Sequence, residues 1–174
     1  MRAFVAVEVT GTEERARASA PEHLTLQFLG EVPVDAVPRF VERLRPVGRA
    51  TPPFAFRLEG VGAFPTASDP RVVWVGVTAG RAELTELAVR VRRALESEGR
   101  AAREAFVPHL TLFRVRSASD RYRAAEVLEG RRPPPPPRTV PVREFVLKES
   151  VLGPRGVTHR TIEAFPLSGP VEEA

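Results

Sequence analysis

One tetrapeptide, His-Leu-Thr-Leu, occurs twice in this 174-residue chain, at residues 23–26 and 109–112. The two histidines are 86 positions apart (109 minus 23), which is about half the chain. Both copies lie in short runs that alternate between apolar and polar residues, the pattern of a half-buried β-strand. Because side chains alternate between the two faces of a strand, the histidine and threonine of each copy share one face and the leucines share the other. The repeat therefore predicts two equivalent strands, each presenting an imidazole beside a hydroxyl.

Two histidines and two threonines around one cleft suit acid–base chemistry at a phosphodiester. Histidine exchanges protons near neutral pH, so one imidazole can accept a proton while the other donates one. In-line displacement at phosphorus needs these two roles on opposite sides of the phosphate, and two related strands can supply them. Two structural histidines are the alternative, which a single copy would favour and a second identical copy argues against. We predict that His23 and His109 act as a pair, and that hydroxyls of Thr25 and Thr111 donate to the phosphate oxygens.

Other chemistries fit the sequence less well. The absence of cysteine excludes disulfides, cysteine nucleophiles and thiolate zinc sites. The third histidine, His159, lies outside any matching motif, so three or four metal ligands are not indicated. No Gly-x-Ser-x-Gly, Walker or Gly-x-Gly-x-x-Gly motif is present. We expect no metal and no cofactor, and we expect His159 to be an exposed or hydrogen-bonded strand residue, with Lys148 and Arg155 as surface charges.

The basic residues are almost all arginine, since Lys148 is the one lysine among 26. Arginine donates to phosphate through a planar fork, so the net charge of +4 favours a polyanionic partner such as RNA. The codon bias of a GC-rich genome accounts for the same excess equally well, and charge alone does not identify the partner. The apolar N-terminal run is broken by Glu8 and is too short for a signal peptide or a membrane span, so we expect a cytoplasmic protein.

Length and periodicity predict a single α+β domain over residues 1–174. Strands are predicted at residues 2–9, 22–29, 54–60, 71–78, 107–115, 139–148 and 157–165, the last two forming a hairpin. Helices are predicted at residues 12–19, 34–45, 81–98 and 120–129, the last with Ser119 as its N-cap. The five prolines 133–137 predict an extended spacer rather than a recognition ligand. Short strands with one polar face favour antiparallel or mixed sheets over a doubly wound parallel sheet.

The paired His-x-Thr-x motifs resemble those of the two-histidine (2H) phosphoesterase superfamily, and most of all its bacterial and archaeal RNA 2′,3′-cyclic phosphodiesterases, historically called 2′–5′ RNA ligases. The resemblance covers nearly the whole chain. Its further stretches are Met1-Arg-Ala-Phe-Val-Ala-Val7, His23-Leu-Thr-Leu-Gln-Phe-Leu-Gly-Glu31, Gly62-Ala-Phe-Pro65, Arg71-Val-Val-Trp-Val-Gly-Val77, Pro108-His-Leu-Thr-Leu-Phe-Arg114, Gly153-Pro-Arg-Gly156 and Phe165-Pro-Leu167. The resemblance implies two pseudo-symmetric lobes whose sheets face a central cleft, with helices outside. It also implies a longer helix before the first motif than residues 11–22 provide.

The same resemblance implies an enzyme that hydrolyses the 2′,3′-cyclic phosphate of an RNA end or a nucleotide to a 2′-phosphate. We also expect a monomer. It implies that His23 donates a proton to the leaving 3′-oxygen and that His109 activates water. It also implies that Thr25, Thr111 and Arg114 hold the phosphate. Two alternatives stay open: a non-catalytic module that binds RNA ends or nucleotides, and the reverse reaction, which joins RNA ends through a 2′–5′ bond.

Strict strand alternation conflicts with one of these implied roles. Arg114 lies five residues after His109, so alternation points the two side chains to opposite faces. Arg114 reaches the cleft only if the strand twists, bulges or ends near Phe113. The same rule puts Phe113 on the histidine face, where its ring would stack on a base, although a core position is also typical of phenylalanine.

Overall fold

The computed structural model describes residues 1–9, 22–100 and 104–172. The strands of these residues are β1 (Arg2–Val9), β2 (Glu22–Glu31), β3 (Phe54–Pro65), β4 (Pro70–Val77), β5 (His109–Arg114), β6 (Arg138–Val142), β7 (Glu144–Gly153) and β8 (Gly156–Pro166). The α-helices are α1 (Val37–Ala50), α2 (Arg81–Leu95) and α3 (Ala118–Leu128), with 3₁₀ turns at Val34–Ala36 and Glu96–Glu98. The predicted helix at residues 12–19 lies outside the described residues.

The strands form two four-stranded antiparallel sheets, which confirms the α+β prediction. The first sheet has the strand order β2-β1-β7-β8 and the second has the order β5-β4-β3-β6. The motif strands β2 and β5 hold equivalent places, each at one edge of its sheet. These two edge strands also contact each other. The two copies of the repeated tetrapeptide therefore meet at the seam between the sheets.

One hydrophobic core joins the two sheets to α1 and α2. Leu24 and Leu26 of β2 and Leu110 of β5 are all at most 3% exposed within it. The predicted apolar stripe of α2 is buried in the same core: Leu84, Leu87, Ala88, Val91 and Leu95. Burying a leucine side chain contributes about 1.5–3 kcal/mol. The leucines of the repeat thus anchor both motif strands and direct the histidines away from the core.

The predicted strand at residues 139–148 is two strands in different sheets. Strand β6 pairs with β3 in the second sheet, whereas β7 pairs with β1 in the first, and Arg143 lies between them. Only β7 forms the hairpin with β8, and Gly153 pairs with Gly156 at its end. Side-chain periodicity does not reveal this change of sheet, because a single bend residue, Arg143, separates the two strands.

The N-cap of α3 is Ser117, so the prediction of Ser119 was wrong. The Ser117 hydroxyl accepts a hydrogen bond from the backbone amide of Asp120 at 3.1 Å. The Asp120 carboxylate accepts from the backbone amide of Ser117 at 3.0 Å in return. This reciprocal capping needs a polar acceptor three residues after the cap. Ser119 has Tyr122 at that position and therefore cannot form it.

Candidate active site

Strand β5 carries a β-bulge within its motif. Thr111 pairs with Trp74 of β4, and Phe113 pairs with the preceding residue, Val73. Leu112 is therefore an extra residue with no opposite partner. Because one extra residue reverses the alternation beyond it, the side chains that follow Leu112 change faces.

The bulge brings Arg114 to the face of His109. Arg114 pairs with Val72, which is two residues from Trp74 on β4 and so shares its face. His109 and Arg114 both line a single groove on this face. Of the three ways in which Arg114 could reach the cleft, the structure therefore shows a bulge.

The prediction that Phe113 shares the histidine face is wrong, for the same reason. Phe113 packs in a cluster with Val73, Ala124 and Val127, beneath α3. The guanidinium carbon of Arg123, a residue of α3, lies over the Phe113 ring, 4.2 Å from its centroid. Phe113 is thus a packing residue of the second sheet, on the face opposite His109.

Strand β2 carries an equivalent bulge. Thr25 and Gln27 pair with consecutive residues of β1, so Leu26 is the extra residue. Leu26 and Leu112 are both the fourth residue of their tetrapeptide. Phe28, five residues after His23, therefore takes the place that Arg114 takes in the other lobe, and its side chain is 69% exposed. The two lobes are alike up to the bulge and differ in the residue presented beyond it.

In each sheet we call the face opposite the shared core the cleft face. The cleft face of the first sheet carries Phe4, Glu8, His23 and Thr25. The cleft face of the second sheet carries Trp74, His109, Thr111 and Arg114. On these faces His23, Thr25 and His109 are half-buried, whereas Thr111 and Arg114 are exposed. Five of the six predicted site residues therefore lie on the cleft faces, and Phe113 does not.

Three aromatic rings contact one another on the first cleft face, those of Phe4, His23 and His159. The His23 ring centroid lies 4.9 Å from that of Phe4 and 4.9 Å from that of His159, edge to face at 84°. Phe4 and His159 are 5.1 Å apart. His159 Nδ1 lies 3.4 Å from the Ser150 hydroxyl, which agrees with the prediction of a hydrogen-bonded strand residue. Burial, and then the charge of Lys148, lower the pKa of His159. Its position beside His23 was not predicted.

Lys148 is buried, which corrects the prediction of a surface charge. It is 1% exposed, because β7 lies between β1 and β8 in the interior of the first sheet. Its Nζ donates to Glu8 Oε1 at 2.5 Å, and the Thr161 hydroxyl donates to the same oxygen at 3.4 Å. Glu8 pairs with His23 across β1 and β2, so this ion pair lies next to the first motif. Arg155, by contrast, is exposed in the β7–β8 turn, as predicted.

A backbone contact fixes the orientation of His109. Its Nδ1 lies 2.7 Å from the carbonyl oxygen of Val107. Since a carbonyl only accepts hydrogen bonds, Nδ1 carries the proton, and Nε2 of the neutral ring keeps its lone pair. Phe64 packs edge to face on the ring at 4.9 Å and 87°. The centroid of the Trp74 ring lies 6.2 Å from that of His109. The indole of Trp74 lies over Gly62, where a Cβ would come within 2.3 Å of it.

Within the part of the chain that the structure describes, no helix has the length and apolar character needed to cross a membrane.

Relatives of established family match the chain over nearly its full length. The family model of the 2′-5′ RNA ligase superfamily matches residues 7–151. The RNA 2′,3′-cyclic phosphodiesterase of Archaeoglobus fulgidus is 35% identical, over 95% of this chain and 99% of the relative. The protein of the same name from Thermotoga maritima is 30% identical, over 93% of each chain.

Solved structures share the fold. A crystal structure from Thermus thermophilus superposes with a TM-score of 0.75 at 30% identity, over 97% of this chain and 99% of that one. Escherichia coli LigT complexed with 3′-AMP superposes with a TM-score of 0.70 at 25% identity, over 97% and 98%. The resemblance drawn from the paired motifs is confirmed, and the chain belongs to the 2′-5′ RNA ligase superfamily.

Proposed function

We propose that this chain is an RNA 2′,3′-cyclic phosphodiesterase, an enzyme that hydrolyses cyclic phosphate ends to 2′-phosphomonoesters by acid–base catalysis between His23 and His109. One observation carries the proposal. Each histidine shares a cleft face with the threonine of its motif, and the two motif strands meet at the seam between the sheets. Full-length relatives named RNA 2′,3′-cyclic phosphodiesterase support the substrate class.

In this reaction His109 acts as the base and His23 as the acid. His109 Nε2 accepts a proton from water while the water oxygen forms a bond to phosphorus. The bond from phosphorus to the 3′-oxygen breaks, and His23 donates a proton to that oxygen, leaving a 3′-hydroxyl and a 2′-phosphate. The contact of His109 Nδ1 with Val107 supports its role, because it leaves Nε2 as the acceptor. The acid role of His23 rests on the family resemblance.

Thr25, Thr111 and Arg114 hold the phosphate. The two hydroxyls donate to the non-bridging oxygens, and the guanidinium adds a full positive charge where the transition state carries negative charge. Hydrogen bonds from a charged donor are roughly twice as strong as neutral ones. The bulge at Leu112 supports the role of Arg114, since it turns this side chain to the face of His109.

Metal-independent chemistry is part of the proposal. Among the described residues, no three His, Asp or Glu side chains converge into a group that could hold a metal ion. We expect hydrolysis of a nucleoside 2′,3′-cyclic phosphate to persist in EDTA and to follow a bell-shaped pH profile, the signature of one acid and one base. Loss of activity in EDTA that returns with a divalent ion would contradict this part of the proposal.

The decisive experiment replaces each histidine separately. His23→Ala and His109→Ala should each lower kcat by about 10²–10⁴-fold, because each removes one proton transfer. Thr111→Ala should lower it by a smaller factor, and the control Thr85→Ala, on α2 outside the cleft, should not change it. Thermal unfolding would verify that every variant is folded. Full activity of either histidine variant would overturn the mechanism.

The same assay separates the two alternatives. A binding module would retain an RNA bearing a 2′,3′-cyclic phosphate end and release no 2′-phosphate after long incubation. A ligase would join that end to a second RNA with a 5′-hydroxyl. We expect hydrolysis to exceed joining, because water at high concentration competes with a dilute RNA hydroxyl for the same phosphorus.

We further propose that residues 1–174 form one domain that acts as a cytoplasmic monomer. The core shared by both sheets supports a single domain. The proposed RNA substrate supports a cytoplasmic location, because RNA is processed inside the cell. Sedimentation at the mass of 19.1 kDa tests the monomer, and a species of twice that mass would contradict it.

A further inference from the structure

A groove of about 690 Å³ opens on the second lobe beside His109. Its described lining residues come from β3, β4, β5 and the segment that precedes β5, and none of them belongs to the first sheet. The groove therefore lies on the second sheet and includes His109. Its volume lies within the range of about 300–1,000 Å³ that ligand sites occupy. The groove shares His109 and Arg114 with the proposed phosphate site and continues past them to Phe64, Pro65 and Arg71.

The charged residues of the groove favour an anion. Arg71 and Arg114 both line it, together with one carboxylate, that of Glu104. Nine other arginines of the described residues form ion pairs with carboxylates, whereas neither of these two does. Among the described residues that line the groove, two guanidinium groups without an ion pair lie with one carboxylate, so their net charge is positive. Their forked donors match the oxygens of a phosphate.

The remaining wall of the groove is apolar. Phe64 packs its ring against His109 at 4.9 Å and lines the groove together with Pro65. An aromatic surface beside a cationic one is the combination that binds single-stranded nucleic acid, where bases stack and the backbone is held by charge. A free phosphate ion would use the charge alone and would leave this wall without a role.

We propose that the groove binds the nucleotide that precedes the cyclic phosphate in an RNA chain, with Arg71 holding the phosphodiester between the last two nucleotides. The inference rests on the proposed function, which puts the reacting phosphate between His23 and His109. Thr25, Thr111 and Arg114 already serve the oxygens of that phosphate. A second guanidinium in the same groove, that of Arg71, is explained by a second phosphate. The preferred substrate is then an RNA end of at least two nucleotides rather than a mononucleotide.

The test compares three substrates: 2′,3′-cyclic AMP, the dinucleotide ApA ending in a 2′,3′-cyclic phosphate, and the same dinucleotide with an uncharged methylphosphonate linkage. The wild-type enzyme should have the highest kcat/KM on the charged dinucleotide. Arg71→Ala should lower the ratio of dinucleotide to mononucleotide kcat/KM about tenfold, the lower end expected for one charged hydrogen bond in an open groove. Arg71→Lys should restore part of the ratio. The control Arg49→Ala, at the C-terminal end of α1, should leave it unchanged.

The methylphosphonate substrate tests which phosphate Arg71 contacts. For the wild-type enzyme, replacing the charged linkage of the dinucleotide with methylphosphonate should lower kcat/KM by the same factor as the substitution Arg71→Ala does. For the Arg71→Ala enzyme, the methylphosphonate linkage should cause no further loss of kcat/KM, because the contact is already absent. Two independent, additive losses would overturn the assignment. A cyclic phosphate of ADP-ribose, whose second phosphate belongs to a pyrophosphate, should depend less on Arg71; a stronger dependence would also overturn it.

The remaining outcomes separate this inference from the proposed function. If the wild-type enzyme hydrolyses 2′,3′-cyclic AMP and shows no preference for the dinucleotide, the groove assignment is wrong and the proposed function stands. Equal losses on all substrates in Arg71→Ala would assign Arg71 to the reacting phosphate or to folding, and would overturn the groove assignment. If no cyclic phosphate is hydrolysed by the wild-type enzyme, the proposed function fails and the groove assignment fails with it.

Discussion

The ion pair between Glu8 and Lys148 should contribute strongly to stability. The Lys148 side chain is 2% exposed and that of Glu8 is 29% exposed, so the ammonium depends on this carboxylate for its charge partner. Replacing Glu8 with alanine would leave the ammonium buried with no carboxylate beside it. An unpaired buried charge is one of the most destabilising changes that a single substitution can make.

The magnitude follows from the burial of the two groups. Removing one partner of a buried ion pair costs about 3–5 kcal/mol. Because Glu8 keeps some contact with water, we expect Glu8→Ala to cost about 3 kcal/mol, the lower end of that range. For a chain of this length each kcal/mol lowers Tm by about 2–4 °C, so Tm should fall by about 6–12 °C. The double variant Glu8→Ala, Lys148→Met removes both charges and should lie within about 1 kcal/mol of the wild-type protein.

Urea unfolding at neutral pH would measure these free energies. The matched control is Glu149→Ala, which breaks the ion pair with Arg160, whose side chain is 72% exposed. That surface pair should contribute less than about 1 kcal/mol. If Glu8→Ala costs no more than this control, or if Lys148→Met fails to rescue it, the argument from the buried charge is refuted.

Two further predictions concern the cap of α3 and the third histidine. Ser117→Ala should cost about 1 kcal/mol in urea unfolding, because it removes the N-cap acceptor, whereas Ser119→Ala should cost less than about 0.5 kcal/mol; equal costs would contradict the capping assignment. Burial and the charge of Lys148 lower the pKa of His159, so the unfolded chain takes up a proton at higher pH than the folded protein does. Stability should therefore fall as pH drops below about 6.5, the ordinary histidine pKa, and His159→Phe should reduce this fall when ΔG of unfolding is measured between pH 7 and pH 5. An unchanged pH dependence in that variant would show that other groups cause it.

The motif strands were predictable because their pattern is local. In each copy of His-Leu-Thr-Leu the leucines lie in the core or pack against it, and the histidine and threonine lie on the other face, as strand alternation requires. The helix stripe of α2 was predictable on the same grounds, since a period of 3.6 residues is visible in the sequence. The paired motifs also indicated the family, because each copy is a contiguous stretch of sequence.

The position of each residue beyond the motif was not predictable in this way. The bulges at Leu26 and Leu112 depend on how many residues the neighbouring strand places opposite them, which is a property of the pairing and not of either strand alone. One extra residue in β5 exchanged the faces of Phe113 and Arg114. Strict alternation assigned both of them to the opposite side.

The chain by itself determined which chemistry it can perform: two imidazoles and two hydroxyls on equivalent strands, and an α+β arrangement to carry them. Only the tertiary structure decided what surrounds those groups. His159 and Lys148 come from strands more than a hundred residues after His23, and the antiparallel pairing of β1 with β7 and of β7 with β8 brings them beside it. The physical reason is that alternation acts between residues near in sequence, whereas burial, charge pairing and strand register act between residues near in space.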